Sequence, residues 1–174
     1  WTTYSGLNCG HGTAAFLNFY NYGTVGQQDR LVSKILNLSS LSNAMLTFDV
    51  AYAAYASNYS DGLQVQISTD CGETFTTTIY NKSGATLSTT GSYQTAEFFP
   101  TTCPTHWRTE NLNLSAYAGS TITISFTAVN AYGNNLFIDN ICVKQCATLA
   151  LTPSCISGPG TGVLTPTFTS GAGG

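Results

Sequence analysis

Alternation of apolar and polar residues recurs along the middle of the chain, and it leaves little freedom in what the chain can fold into. Leu46, Phe48 and Val50 alternate, then Leu63, Val65 and Ile67, then Ile122, Ile124 and Phe126. A period of two turns one row of side chains toward a core and the other toward water. Turn-forming clusters punctuate these runs: Ser60-Asp61-Gly62, Asp70-Cys71-Gly72, Lys82-Ser83-Gly84, Ala118-Gly119-Ser120 and Gly133-Asn134-Asn135. The helix-favouring stretch Ala51–Ser57 continues a strand and is rich in tyrosine, so it reads as a strand end followed by a loop. The pattern predicts an all-β fold, two antiparallel sheets packed as a sandwich. Its closing strand runs from Leu136 to Val143, with Phe137, Asp139, Ile141 and Val143 in one row.

Composition narrows the class. Only 7% of the 174 residues are charged, against about 25% in an average soluble protein; Ser, Thr, Asn and Gly take their place. A net charge of −3 provides no basic patch, so nucleic acid is not an expected partner. No apolar run approaches the roughly 20 residues of a membrane-spanning helix. Residues 1–146 are expected to form the sandwich. Residues 147–174, with three of the five prolines and no charge, read as a linker or the truncated start of a following β-repeat. The start at Trp1, without Met or signal peptide, reads as a mature piece of a larger protein.

Six cysteines beside a single Met point to an oxidising compartment. Cys142 and Cys146 have no second Cys or His pair nearby to complete a zinc site, so disulfides are favoured over metal. Six cysteines allow 15 pairings; the favoured one is Cys71 with Cys103, each in a turn-rich segment beside a strand. His11 and His106 stand alone in the sequence, and no Gly-x-Ser-x-Gly, His-Glu-x-x-His or phosphate-cradling loop occurs. The chain therefore reads as no enzyme. Its polar aromatic loops suggest binding instead. Tyr52, Tyr55 and Tyr59 flank Asn58; Tyr132 lies beside Asn134 and Asn135; Tyr20-Asn21-Tyr22 is a third such group. Exposed rings stack on sugar faces while amides serve the hydroxyls, although half-buried strand tyrosines give the same pattern. Asp61 and Asp70 read as turn formers.

Longer motifs add a resemblance. The segment from Asp61 to Phe75 (DGLQVQISTDCGETF), the pair Trp107-Arg108-Thr109-Glu110 and Leu114-Ser115-Ala116-Tyr117-Ala118-Gly119, and the closing Gly133-Asn134-Asn135-Leu136-Phe137-Ile138-Asp139-Asn140-Ile141 resemble the choice-of-anchor J domains. Those are jelly-roll modules related to the MAM domains of animal surface receptors. Phe75 stands where members often carry Trp, and Asn140 where the animal modules often carry a second Asp. The tail, with Leu151-Thr152-Pro153-Ser154-Cys155 and Gly158-Pro159-Gly160, is similar to the opening of gliding-adhesin-like repeats. Both likenesses imply a large bacterial protein exported by the type IX route, secreted or displayed on the cell surface. They also imply a structural Ca²⁺ at Asp139, for which Asp29 and Asp49 are candidate partners and Asn18 a weaker one; a carboxylate accepting backbone N–H bonds is the competing reading. The expected function is a non-catalytic adhesion or spacer module, with a lectin-like accessory module of a secreted hydrolase or protease as the alternative. The expected partners are an extracellular surface or glycan, or neighbouring domains of the same chain.

Overall fold

The computed structural model describes residues 1–8 and 10–145. The segment assigned above to a linker or following repeat lies outside the described residues. Ten strands make up nearly all the regular structure: β1 (Thr2–Leu7), β2 (Gly12–Leu17), β3 (Gln28–Val32), β4 (Leu36–Asn37), β5 (Ala44–Tyr52), β6 (Gly62–Ser68), β7 (Thr77–Ser83), β8 (Arg108–Asn113), β9 (Thr121–Val129) and β10 (Leu136–Gln145). They pair antiparallel into two sheets. One has the order β1-β2-β10-β5-β8; the other has the order β3-β9-β6-β7, with β4 also on β9. The expected all-β, antiparallel two-sheet fold is the one observed.

The alternating residues face one another between the sheets. Leu46, Phe48 and Val50 from β5 meet Leu63, Val65 and Ile67 from β6 and Ile122, Ile124 and Phe126 from β9, all essentially without solvent exposure. Phe48 sits edge-on to both Phe126 (5.1 Å between ring centroids, 85°) and Tyr80 (5.6 Å, 79°), the arrangement that aromatic quadrupoles favour. Full burial of each such side chain is worth about 1.5–3 kcal/mol. Along the edge between β7 and β8 the core is closed by Glu110. Its carboxylate accepts hydrogen bonds from Tyr80 Oη (2.9 Å), Lys82 Nζ (2.8 Å) and Arg108 Nε (2.8 Å). Burial pushes the Glu110 carboxyl up, but the bonds from Lys82, Arg108 and Tyr80 outweigh it and hold the group below the ordinary glutamate range.

Two features depart from simple alternation. First, the sheet containing β5 and β10 is covered on both faces. Phe16, Ala51 and Phe137 point outward but are buried under Phe98, with Tyr4, Phe99 and Trp107 packed around them. The long connection between β7 and β8 supplies this cover and opens with a one-turn helix, α1 (Gly84–Leu87), where the sequence suggested only a turn. Second, β10 carries a bulge. Asp139 lies opposite Asp49 and Cys142 opposite Thr47, so β10 spends one extra residue, and Asn140 adopts a left-handed φ of 50°. The single row expected for the closing strand is thereby broken: Phe137 faces the outer cluster, Val143 packs on the inner core and Ile141 is exposed.

Candidate functional site

Antiparallel register gathers three tyrosine-bearing loops at one pole of the sandwich. Leu136, the first residue of β10, lies opposite both Leu17 at the end of β2 and Tyr52 at the end of β5. The loops that leave β2 and β5 and the loop that enters β10 therefore emerge side by side. Their rings form a continuous row. Tyr20 lies 6.2 Å from Tyr55, Tyr55 lies 5.1 Å from Tyr59, and Tyr59 lies 6.3 Å from Tyr132. Tyr132 is 48% exposed; Tyr20, Tyr55 and Tyr59 are half-buried, and Asn58 is exposed beside them. The rings meet at 59°, 84° and 70°. They are not a flat shelf, so a planar ribbon polymer cannot lie across all four.

Beneath the row is a frame that the sequence reading did not anticipate. Asp61 is fully buried. Its carboxylate accepts from the backbone N–H groups of Ala131 (2.7 Å), Gly133 (3.2 Å) and Asn134 (2.8 Å) and from Tyr52 Oη (3.0 Å). Burial raises the Asp61 carboxyl above the ordinary aspartate value, while the bonds from Ala131, Asn134, Tyr52 and Gly133 act in the other direction. Burial, followed by the nearby Asp61 charge, also raises the Tyr52 hydroxyl far above its ordinary value. Asp61 is thus more than a turn former, because it gathers the loop before β10 around one buried acceptor. Gly133 is required for this approach, since a Cβ there would stand 2.1 Å from Asp61 Oδ2. Asn130 completes the frame, donating to the carbonyls of Tyr22 and Thr24 and accepting from Tyr132 N–H (2.9 Å), which holds Tyr132 at a φ of 58°.

Three residues proposed as ligand contacts belong to this frame and not to the surface. Tyr52, Asn134 and Asn135 have no solvent exposure. Asn134 accepts from Phe98 N–H and donates to the carbonyls of Gln94 and Ala96, while Asn135 donates to Glu97 and to the Phe98 carbonyl. Their amides are spent holding the β7–β8 connection. Tyr55, Asn58, Tyr59 and Tyr132 are the ones the fold brings together at the surface.

A second cluster lies on the outer face of the β5–β10 sheet. Asp139 and Asp49 are direct cross-strand neighbours, a like-charge pairing that would repel if left bare. Each has a donor of its own. His11 donates through Nδ1 to Asp139 Oδ2 (2.9 Å); Asn140 Nδ2 donates to Asp49 Oδ2 (2.8 Å) and the Thr109 hydroxyl to Asp49 Oδ1. His11 is only 8% exposed and stacks flat on Trp107, with 3.7 Å between ring centroids and 14° between planes. His11, Asp49, Trp107 and Thr109 line a recess of about 330 Å³ together with Cys103 and Pro104. His106, also isolated in the sequence, accepts from the N–H groups of Thr101 and Thr102.

This cluster does not assemble the quartet implied for calcium. Asp29 lies on β3, in the opposite sheet, and Asn18 is exposed in the loop after β2, accepting from Asn21 N–H. Among the described residues no group of three or more His, Cys, Asp or Glu side chains converges as a metal shell would. An Asn140 amide also points its N–H at Asp49, where a cation would need an open oxygen. The four residues named for calcium therefore do not converge on one place in the described structure. The expected Cys71–Cys103 bridge is likewise not formed. Cys71 is a free, exposed thiol in the turn after β6 with a φ of 62°, at the edge of one sheet. Cys103 lines the recess on the other sheet and is disulfide-bonded. Cys142 is also free and exposed.

No family model and no curated protein matches the chain. Solved structures do match it. The K3 cleaved adhesin domain of Lys-gingipain from Porphyromonas gingivalis W83 aligns with a TM-score of 0.55 at 15% identity, covering 78% of this chain and 75% of that one. The K1 cleaved adhesin domain of the same protein aligns with a TM-score of 0.51 at 17% identity, covering 77% of this chain and 75% of that one. At such identities the likeness is one of fold. Among the described residues no helix is long and apolar enough to cross a membrane.

Proposed function

We propose that this chain is a non-catalytic adhesion module of a secreted or surface-displayed bacterial protein, gripping an extracellular surface or glycan with its tyrosine row. The observation that carries this reading is the convergence of Tyr20, Tyr55, Tyr59 and Tyr132 at one pole above the buried Asp61 frame. Fixed aromatic rings give contact area at low entropic cost, which is how preorganised binding surfaces gain affinity. The choice-of-anchor J and MAM likeness, and export by the type IX route, belong to the same proposal. Two adhesin domains share the fold, so the architecture is one that adhesins use.

A catalytic role has less support. Hydrolytic chemistry needs a nucleophile on a base. The His11 ring is held by Asp139, and no serine, threonine or cysteine bonds to that ring among the described residues. The lectin-like accessory module of a secreted hydrolase or protease is the second reading, favoured by the exposed Asn58 beside Tyr59. Multimerised protein on a glycan array and on immobilised extracellular matrix tests both. Multivalency can raise apparent affinity by roughly 10²–10⁴, so weak single contacts become visible. Binding that is lost on Tyr55→Ala and Tyr132→Ala supports the proposal; binding unchanged by both would leave the module a spacer.

A further inference from the structure

Next to the tyrosine row lies a second feature, on the connection between β7 and β8. Ala54, Ala85, Ser88, Thr90, Gly91, Ser92 and Tyr93 line an open recess of about 360 Å³, at the small end of the roughly 300–1,000 Å³ typical of ligand pockets. Tyr93 stands at its rim, 54% exposed. The recess adjoins the row through the backbone. Gln94 N–H donates to the Ala54 carbonyl (2.9 Å), the residue before Tyr55, and the Tyr20 hydroxyl reaches the Thr95 carbonyl (3.5 Å).

The walls are fixed before any ligand arrives. Thr89 N–H donates to the Tyr52 carbonyl (2.8 Å), and the Thr89 hydroxyl accepts from Tyr52 N–H (3.2 Å). Ser88 Oγ donates to the Thr90 carbonyl and Thr90 Oγ1 to the Ser92 carbonyl, both at 3.0 Å. Arg108 clamps the start of the loop from below through the carbonyls of Leu87 and Ser88. At the rim the bonding stops. Gly91, Ser92 and Tyr93 are exposed, and their N–H groups and the hydroxyls of Ser92 and Tyr93 engage no other group among the described residues. A hydrogen-bonded wall thus ends in solvent-facing donors beside an exposed ring, groups a polar ligand can reach.

The chemistry of the lining selects the ligand class. It contains no Asp, Glu, Lys, Arg or His, so a charged group would find no counter-charge there. Two alanine methyl groups and a tyrosine ring offer an apolar surface; three hydroxyl side chains and the free amides offer an adjacent polar one. A pyranose presents this same division, C–H groups on its face and hydroxyls on its rim. We infer that this recess is a subsite for one uncharged pyranose residue, stacked on Tyr93 and hydrogen-bonded at the rim of residues 91–93. The inference rests on the adhesion reading and gives it a ligand class, with the tyrosine row carrying the remainder of a longer, non-planar glycan.

The test is titration of ¹⁵N-labelled protein with the methyl glycosides of glucose, galactose and mannose, with glucuronic acid and glucosamine as charged controls. The expected result is saturable amide shifts at residues 91–93 for at least one neutral sugar and none for the controls. Tyr93→Ala and Ala85→Glu, both at exposed positions, should each weaken that binding by about tenfold or more while leaving the melting temperature in place. Tyr55→Ala and Tyr132→Ala should leave monosaccharide binding within about twofold. No shift with any neutral sugar, equal shifts with the charged controls, or shifts untouched by Tyr93→Ala would each overturn the inference. If the array then still shows adhesion that depends on Tyr55 and Tyr132, the adhesion reading survives without this subsite. Sugar binding at Tyr93 with adhesion indifferent to the row would do the reverse.

Discussion

His11 and Tyr132 stand at the centres of two clusters, and the two differ in where their polar groups are spent. Around His11 each carboxylate has a donor of its own: the imidazole serves Asp139, and Asn140 and Thr109 serve Asp49. The cluster pairs its carboxylates internally and seals the outer face of a sheet, with Trp107 Nε1 left buried and unpartnered among the described residues. Around Tyr132 the satisfied groups lie below, at Asp61, Asn134 and Asn135, and the rings above them are left facing solvent. A cluster whose carboxylates are paired internally behaves as a joint. A cluster built on a satisfied base with an open top behaves as a contact surface. Residue type does not separate the two, since each contains aromatic, amide and acidic side chains.

The largest effects are expected at the base of the tyrosine pole. Asp61→Ala orphans two buried N–H groups, a part-buried one and a tyrosine hydroxyl, at about 1–3 kcal/mol each, so urea denaturation should show a loss of about 4 kcal/mol or more. Gly133→Ala, which drives a methyl group into Asp61, should cost about 2–3 kcal/mol. If either variant keeps wild-type stability, the frame is not what orders the row. On the other cluster, His11→Ala removes the stack on Trp107 and the donor to Asp139, and should cost about 2 kcal/mol without changing surface adhesion. Adhesion lost in that variant, with the fold retained by circular dichroism, would turn the joint into a site.

Smaller effects sharpen the contrast further. Tyr132→Ala should reduce multivalent adhesion by about tenfold and shift stability by less than about 1 kcal/mol, because its ring is half in water. Chelation should move the melting temperature by less than about 1 °C, whereas a calcium ion at a hundredfold excess over its dissociation constant would contribute about 2.7 kcal/mol. A shift of several degrees that Asp139→Ala abolishes would restore the metal to this cluster. Last, Cys71 and Cys142 should react with iodoacetamide in folded protein without reductant while Cys103 does not. Protection of Cys71 would reinstate its bridge.

The sandwich was legible because its inner faces obey a period of two, and Leu46, Phe48 and Val50 announce themselves within five residues. What lay hidden shares a different property. Phe137 and Ala51 are buried on the face that alternation assigns to water, since a remote connection folds over them. Asp61 looks like a turn former because Ser-Asp-Gly is turn chemistry, yet its partners Ala131, Gly133 and Asn134 are 70 or more residues away. His11 finds Asp139 across 128 residues. The bulge at Asn140 resets side-chain parity without leaving a glycine to mark it. Of the residues proposed as contacts, Tyr55, Tyr59 and Tyr132 reach the surface and Tyr52, Asn134 and Asn135 do not, a division that composition cannot make.

The position of β10 has a mechanical consequence. It is the middle strand of its sheet, flanked by β2 and β5, and it runs from the tyrosine pole to Gln145, roughly 33 Å at 3.3 Å per residue. A pull applied at Gln145 and resisted by a ligand held on Tyr20 and Tyr55, which follow β2 and β5, draws β10 against both neighbours along its own axis. Its hydrogen bonds to both neighbours would then be loaded together, in shear, and would have to fail as a group. Loading across the sheet would instead peel them apart one at a time. A tether leaving from Gln145 would therefore draw tight against the strongest direction of the fold.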